Sequence, residues 1–361
     1  MKLMKTKFLF CSLLLCAASL KAQTEVSTFT PGVTIEGVNY FLPQTAIRLV
    51  VIAEKQVYQP GDFRNYAGLY LNLKDIPKDS YTKWTIKSIS IDTYGVPDPQ
   101  KAYNIKLQKR TVAPLVGLSS EGILLSINTE GSEETLPDLP KNTEPAKRFN
   151  PRDFMNRDML SAGSNAKIAE LVADEIYDIR DSRNALIRGE ADNTPKDGTQ
   201  LKLMLDNLQN QEDAFLQLFK GYTATSTEVF SVSLTPTTEL DKMVLFRFSE
   251  KLGVLDNDDL AGEPVYISIK NLNTSPAPVE DEKATRKKHK MDKGIWYNVP
   301  GQAAIKVFNS KQTFCKGEYP FAQFGTSEIL SDVLFDKNST IKVTFYQSTG
   351  GIEQLTDGKT E

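Results

Sequence analysis

The single histidine of this chain, His289, lies in "TRKKHK" (residues 285–290), the densest run of positive charge. A Ser-His-Asp mechanism would have to run through it, but its neighbours Arg286, Lys287, Lys288 and Lys290 include no nucleophile or orienting carboxylate. A Ser-Lys pair needs no histidine. "SNAK", Ser164 to Lys167, has the S-x-x-K spacing of penicillin-binding enzymes. The same spacing recurs at Ser80–Lys83 and Ser339–Lys342 in strand-like surroundings, and the K-T-G companion is missing. Ser164 therefore reads as a helix N-cap that satisfies free backbone N–H groups. No residue is assigned a catalytic role.

Metal chemistry is equally thin. Zinc sites draw most of their ligands from His and Cys, and once a signal is removed only His289 and Cys315 are left to supply them. "DNDD" (residues 256–259) clusters carboxylates, but Gly262 is out of the calcium-loop register and the ligand glutamate is missing, so a solvated turn is expected. Glu170, Asp174, Asp178 and Asp181 form an acidic stripe at helical spacing. Arg180, Arg183 and Arg188 stand near enough in sequence to neutralise part of it. No metal and no cofactor is expected, since Walker and G-x-G-x-x-G loops are also missing. Paired carboxylates for glycoside hydrolysis stay open, because sequence gives no separations. Trp84, Trp296 and the tyrosines could stack on sugars, although aromatic side chains in alternating strands ordinarily pack in a core.

The elements that must position these residues change character along the chain. "MKLMKTKFLFCSLLLCAASLKAQ" has the basic start, short apolar run and small-residue end of a secretory signal, with cleavage expected between Ala22 and Gln23. A lipid-anchored alternative would modify Cys16, but Leu15 is not the small residue needed before it. Losing residues 1–22 removes Cys11 and Cys16, leaving Cys315 without an internal disulfide partner. It also removes four lysines from a chain whose formal charge is already −3. An acidic exported chain has no general attraction for nucleic acid, and the lone basic run lacks interleaved aromatics. No later apolar stretch is long enough for a transmembrane segment.

Residues 23–129 read as an N-terminal β-rich domain. "TAIRLVVIAEKQVY" sets Ile47, Leu49, Val51 and Ala53 on one face, "TKWTIKSISID" continues the pattern, and "GILLSIN" adds a strand. "YGVPDPQKAY" carries the Gly/Pro signals of a turn or loop. Asp62 is expected to cap a short helix that turns Phe63, Tyr66 and Tyr70 inward. Residues 130–163 are acidic and proline-rich, a linker pattern. Over 164–221 the period changes. Ile168, Leu171, Val172, Ile176, Ile179 and Leu186 mark one amphipathic helix. Leu201, Met204, Leu205, Leu208, Phe215, Leu216 and Phe219 mark a second, which Gly221 ends. The short turn between them predicts an antiparallel helical hairpin, with Phe219 pinned against the β unit that follows. Residues 222–361 return to strands ("EVFSVSL", "KMVLFRF", "EPVYISI", "IWYNV", "AAIKVF", "TIKVTFY") as a C-terminal β-rich domain. The fold class is α+β: two strand-dominated, sandwich-like units joined through the hairpin.

The order of "YFLPQTAIRLVV", "YQPGDFRNYAGLYL", "IRDSRNALIRGE", "PKDGTQLKLMLDNLQNQEDAFLQLFKGY", "AQFG" and "FYQSTGGI" resembles the domain-of-unknown-function 4831 family of exported Bacteroidetes proteins. The resemblance covers nearly the whole mature chain. It implies similar size and export to the periplasm or cell surface, and it carries no catalytic residue across. The expected role is a non-enzymatic binding or structural module of the cell envelope, with an envelope protein or a glycan as partner. A carboxylate-dependent glycan hydrolase is one alternative. The other is a partner that docks on an outer-membrane assembly through the hairpin.

Overall fold

One 22-residue strand, β2 (Val38–Gln59), organises the computed structural model, which describes residues 25–28, 37–106, 116–192, 195–275, 294–331 and 340–357. Ala22, Gln23, His289 and Ser339 lie outside the described residues. The alternation of β2 is that of a half-buried strand. Ile47, Leu49 and Val51 are fully buried on one face. On the other, Arg48 pairs with Asp92 at 2.8 Å. β2 is antiparallel to β3 (Tyr81–Lys106) on one side and to β6 (Tyr222–Leu234) on the other. With β1 (Glu25–Thr28) they form a sheet ordered β1-β3-β2-β6.

A second sheet packs against it, ordered β11-β10-β9-β7-β8. Its strands are β7 (Leu240–Ser249), β8 (Gly253–Leu255), β9 (Glu263–Asn271), β10 (Gly294–Phe308) and β11 (Thr313–Ser331). Ile267, Ile269, Ile305, Val307 and Phe321 meet Ile47, Leu49, Val51 and Ile89 in a shared core, the face-to-face packing of a sandwich. Each fully buried side chain of this size contributes roughly 1.5–3 kcal/mol. A third sheet, ordered β13-β12-β5-β4, uses β4 (Val116–Leu118), β5 (Leu124–Ile127), β12 (Ile341–Phe345) and β13 (Ile352–Asp357). It buries Leu124, Ile127, Val343 and Phe345 against Tyr40, Leu42, Ile105 and Ile295. The first and third sheets therefore each combine strands from both sides of the helical segment.

Several strand expectations resolve differently in space. "YGVPDPQKAY" is not a turn but part of β3. Its Gly and Pro mark a bulge, since Pro97 pairs with Pro43 and Ala102 with Phe41, leaving residues 98–101 out of register. "IWYNV" and "AAIKVF" merge into β10, with a register shift between Val299 and Gly301. β11, interrupted by Gly317, Pro320 and Gly325, has no unbroken strand pattern in sequence; it forms where β10 pairs along most of its length.

The helical expectation is met. α3 (Asn165–Arg188) and α4 (Gly198–Lys220) pack antiparallel, with Ser164 capping α3 through Lys167 N at 3.3 Å. Arg180 and Arg183 do not neutralise the acidic stripe. They reach across to the buried Glu212 of α4 at 2.6 and 2.7 Å, because that carboxylate would otherwise be unpaired in the interface. The third core is helical: Val172, Ile176, Ile179, Phe215 and Phe219 surround Met159 of α2 (Arg157–Ser161) and Phe63, Ala67 and Leu71 of the β2–β3 connection. Phe219 thus meets Phe63 at 5.7 Å, not the face of the following β unit. The connection holds a 3-10 turn (Arg64–Tyr66) and α1 (Ala67–Leu71). Asp62 does not cap it; Arg64 N donates to Gly61 O instead, and Tyr66 and Tyr70 are only half-buried. Among the described residues no helix is long and apolar enough to cross a membrane.

Candidate functional site

α4 runs into β6 through a single residue, Gly221, whose φ of +74° favours glycine. A Cβ there would collide with Gln59 O and the Tyr58 ring, so the helix end lies directly on the end of β2. The joint places Tyr222 opposite Gln59 and fans the last turns of α4 away from the start of β6. The segment expected as a linker closes the opening. Thr143 and Thr227 exchange backbone hydrogen bonds of 3.0 and 3.2 Å, and Asn142 Oδ1 accepts from Val229 N at 2.8 Å. Beyond residue 149, Asn150 caps a second 3-10 turn (Pro151–Phe154), and Phe154 packs edge-on against Phe215. Anchored on both sides, this strap holds the Arg148 guanidinium 3.9 Å above the Tyr222 ring, a cation–π contact.

Two cavities adjoin at Arg148, Gln217 and Tyr222. The larger, about 920 Å³, lies between the strap, Asn210 to Lys220 of α4 and Tyr222 to Thr225 of β6. The smaller, about 730 Å³, opens towards Asp62, Arg64, Arg152 and Met159. Each is within the size range of small-ligand pockets. Two atoms beside them are unusual. Gln217 Oε1 and Arg64 Nε are buried without a hydrogen-bond partner among the described residues, and such groups carry a cost of about 1–3 kcal/mol. Tyr58, beneath the larger cavity, donates to Lys220 O at 3.0 Å. Burial and the Tyr81 ring stacked at 5.1 Å hold its phenol above the ordinary value.

A second charged cluster lies where all three sheets meet. The bulge of β3 turns Lys101 inward to Ser327 Oγ at 3.1 Å and to Asn298 Oδ1 at 3.3 Å. Burial lowers the Lys101 ammonium below its ordinary value, an effect Asp98 opposes. This is a Ser-Lys pair, but Ser327 also lies 3.1 Å from Asn298 Oδ1, and the fully buried Asn298 donates to Pro43 O and Thr349 O. Thr45 completes the junction. It exchanges two hydrogen bonds with the Gln323 side chain, donates to Ser348 O and accepts from Ala322 N. These groups tie β2, β10, β11 and the β12–β13 turn together, a structural arrangement.

The residues singled out in sequence fall elsewhere. Ser164 is a cap, and Lys167 pairs with Glu170 at 3.1 Å. In "DNDD", Asp259 accepts from Ala261 N and closes a turn. No group of three or more His, Cys, Asp or Glu among the described residues could hold a metal ion. Trp84 is buried under Lys55, and Trp296 stacks on Tyr103 at 5.6 Å. Sequence reading missed Arg148, Gln217 and Tyr222. One signal was present: the segment turns from acidic at Glu130–Glu144 to basic at Lys147, Arg148 and Arg152.

Most of the quoted motifs divide between the two places, and "IRDSRNALIRGE" of α3 lies outside both. "YFLPQTAIRLVV", "AQFG" and "FYQSTGGI" supply the junction, whereas "YQPGDFRNYAGLYL" and the motif of α4 supply walls of the cleft. No curated protein and no solved structure matches the chain. Residues 36–353, spanning both the junction and the cleft, match the domain of unknown function DUF4831, and the chain belongs to that family.

Proposed function

We propose that this protein is an exported, non-enzymatic binding module of the cell envelope, and that the strap–hairpin cleft is its ligand site. One observation carries the reading: a strap anchored on both sides presents the exposed Arg148 guanidinium between two adjoining cavities. A charged group held in place beside open volume is what a binding site needs. The signal-like N-terminus supports the envelope location.

At this cleft, binding is favoured over hydrolysis by the carboxylates. Asp213 lines only the larger cavity and Asp62 only the smaller, so neither has the facing pair that glycoside hydrolysis uses. Docking through the hairpin is the second reading, favoured by the exposed Ile187 of α3 and Leu203 and Met204 of α4.

The test is retention of the tagged mature chain, residues 23–361, on purified envelopes of the producing organism. Wild-type protein should co-sediment and Arg148→Ala should be released. Equal retention of the two proteins, or retention of neither, would overturn the reading.

A further inference from the structure

We infer that the ligand of this cleft is an acidic glycan, a saccharide chain carrying carboxylate or phosphate-ester groups; the inference rests on the binding-module reading. The first argument is charge. Lys147, Arg148 and Lys220 line the larger cavity against Asp213, and Arg64, Arg148 and Arg152 line the smaller against Asp62. A chain with formal charge −3 thus concentrates cations along one continuous cleft. Oppositely charged clefts focus the field on a matching ligand. Arg148 stacks on Tyr222 through its guanidinium face, a geometry that leaves N–H edges to grip a planar or tetrahedral anion.

The second argument is the rest of the lining. Asn210, Gln217, Thr223 and Thr225 supply amides and hydroxyls that match sugar hydroxyls in both donor and acceptor character. Two adjoining cavities that share Arg148 suit an extended chain with its charge at the centre. A peptide that adds a strand is disfavoured, because the strap already hydrogen-bonds the β6 edge at Thr227 and Val229. Stacked nucleobases are disfavoured too, since Arg148 covers the Tyr222 ring.

The test is calorimetric titration of the mature chain with four probes of matched length: a uronic-acid oligosaccharide, a phosphorylated oligosaccharide, a neutral oligosaccharide and an oligoglutamate. One or both acidic saccharides should bind at least about tenfold more tightly than the neutral one. Binding should weaken as salt rises from ~50 to ~200 mM. Arg148→Ala should cost about tenfold and Lys220→Gln less, as for loss of a charge-assisted contact against a point charge. Which acidic saccharide binds identifies the source of the charge. Equal binding of the neutral saccharide would overturn the inference, as would oligoglutamate binding as tightly as the acidic sugars. So would failure of all the saccharides while envelope retention persists. In these three cases the binding-module reading survives; only equal retention of wild type and Arg148→Ala on envelopes, or retention of neither, removes it.

Discussion

The junction around Asn298 and the cleft around Arg148 both gather charged and polar side chains where different elements meet, yet they solve opposite problems. At the junction the partners are close and mutual. Asn298, Thr45 and Gln323 spend their donors and acceptors on backbone groups from β2, β11 and the β12–β13 turn. At the cleft, Lys147, Arg148 and Lys220 stand exposed beside open volume. Satisfied buried polar groups fix a fold, whereas exposed cations beside a cavity stay available to a ligand. A Ser-Lys contact at the first and a cation–π contact at the second would be misread if each were judged as an isolated pair.

The largest expected effect is alkaline loss of the fold around the junction. Tyr40 and Tyr103 are held above their ordinary pKa chiefly by burial, and Tyr297 is pushed up to about 12 by burial and Glu328. Groups with raised folded-state pKa stabilise fully below the unfolded value of 10.0 and lose that contribution as pH rises through the folded value. The near-ultraviolet signal of the stacked Tyr40, Tyr103 and Trp296 rings should therefore collapse above about pH 10. Tyr40→Phe should move that midpoint upward; an unchanged midpoint would remove the Tyr40 account.

Next comes Phe219→Ala, expected to cost about 3–5 kcal/mol as a truncated, fully buried phenylalanine. Its partners are helical, so hydrogen exchange should show α3 and α4 losing protection before β10 and β11. Uniform loss would mean that the three cores unfold as one.

Asn298→Ala should cost about 3 kcal/mol by leaving Pro43 O and Thr349 O without their donor and Lys101 with Ser327 as its remaining partner. Denaturant unfolding measures this, and envelope retention of the folded variant should be unchanged. Reduced retention would make the junction part of the binding site. Glu212→Ala should cost less, about 2 kcal/mol, because Arg180 and Arg183 are partly exposed and can turn to water. A loss as large as that of Phe219→Ala would show the ion pair to be more deeply shielded.

What sequence could show follows from where each signal arises. The hairpin was legible because Ile176, Ile179, Phe215 and Phe219 repeat at helical spacing, and Ser164 and Gly221 mark its ends. β2 was legible through the alternation at Ile47–Val51. β11 was not, because its residues "GEYPFAQFG" owe their strand to β10. Pro97 misled because a bulge and a turn share residue preferences. The cleft was hidden for a different reason. Arg148 and Tyr222 meet only because Thr143 docks on Thr227, a contact between segments 84 residues apart that no local pattern encodes.

The smallest expected effect on stability is also the most direct test of the division between fold and function. Arg148 is exposed, and its ring contact is the only one the fold gives it among the described residues. Arg148→Ala should therefore change unfolding free energy by no more than about 0.5 kcal/mol. Denaturant unfolding and envelope retention should be measured on the same preparation. The account predicts unchanged stability with lost retention. Unchanged retention, or retention lost only together with stability, would contradict it.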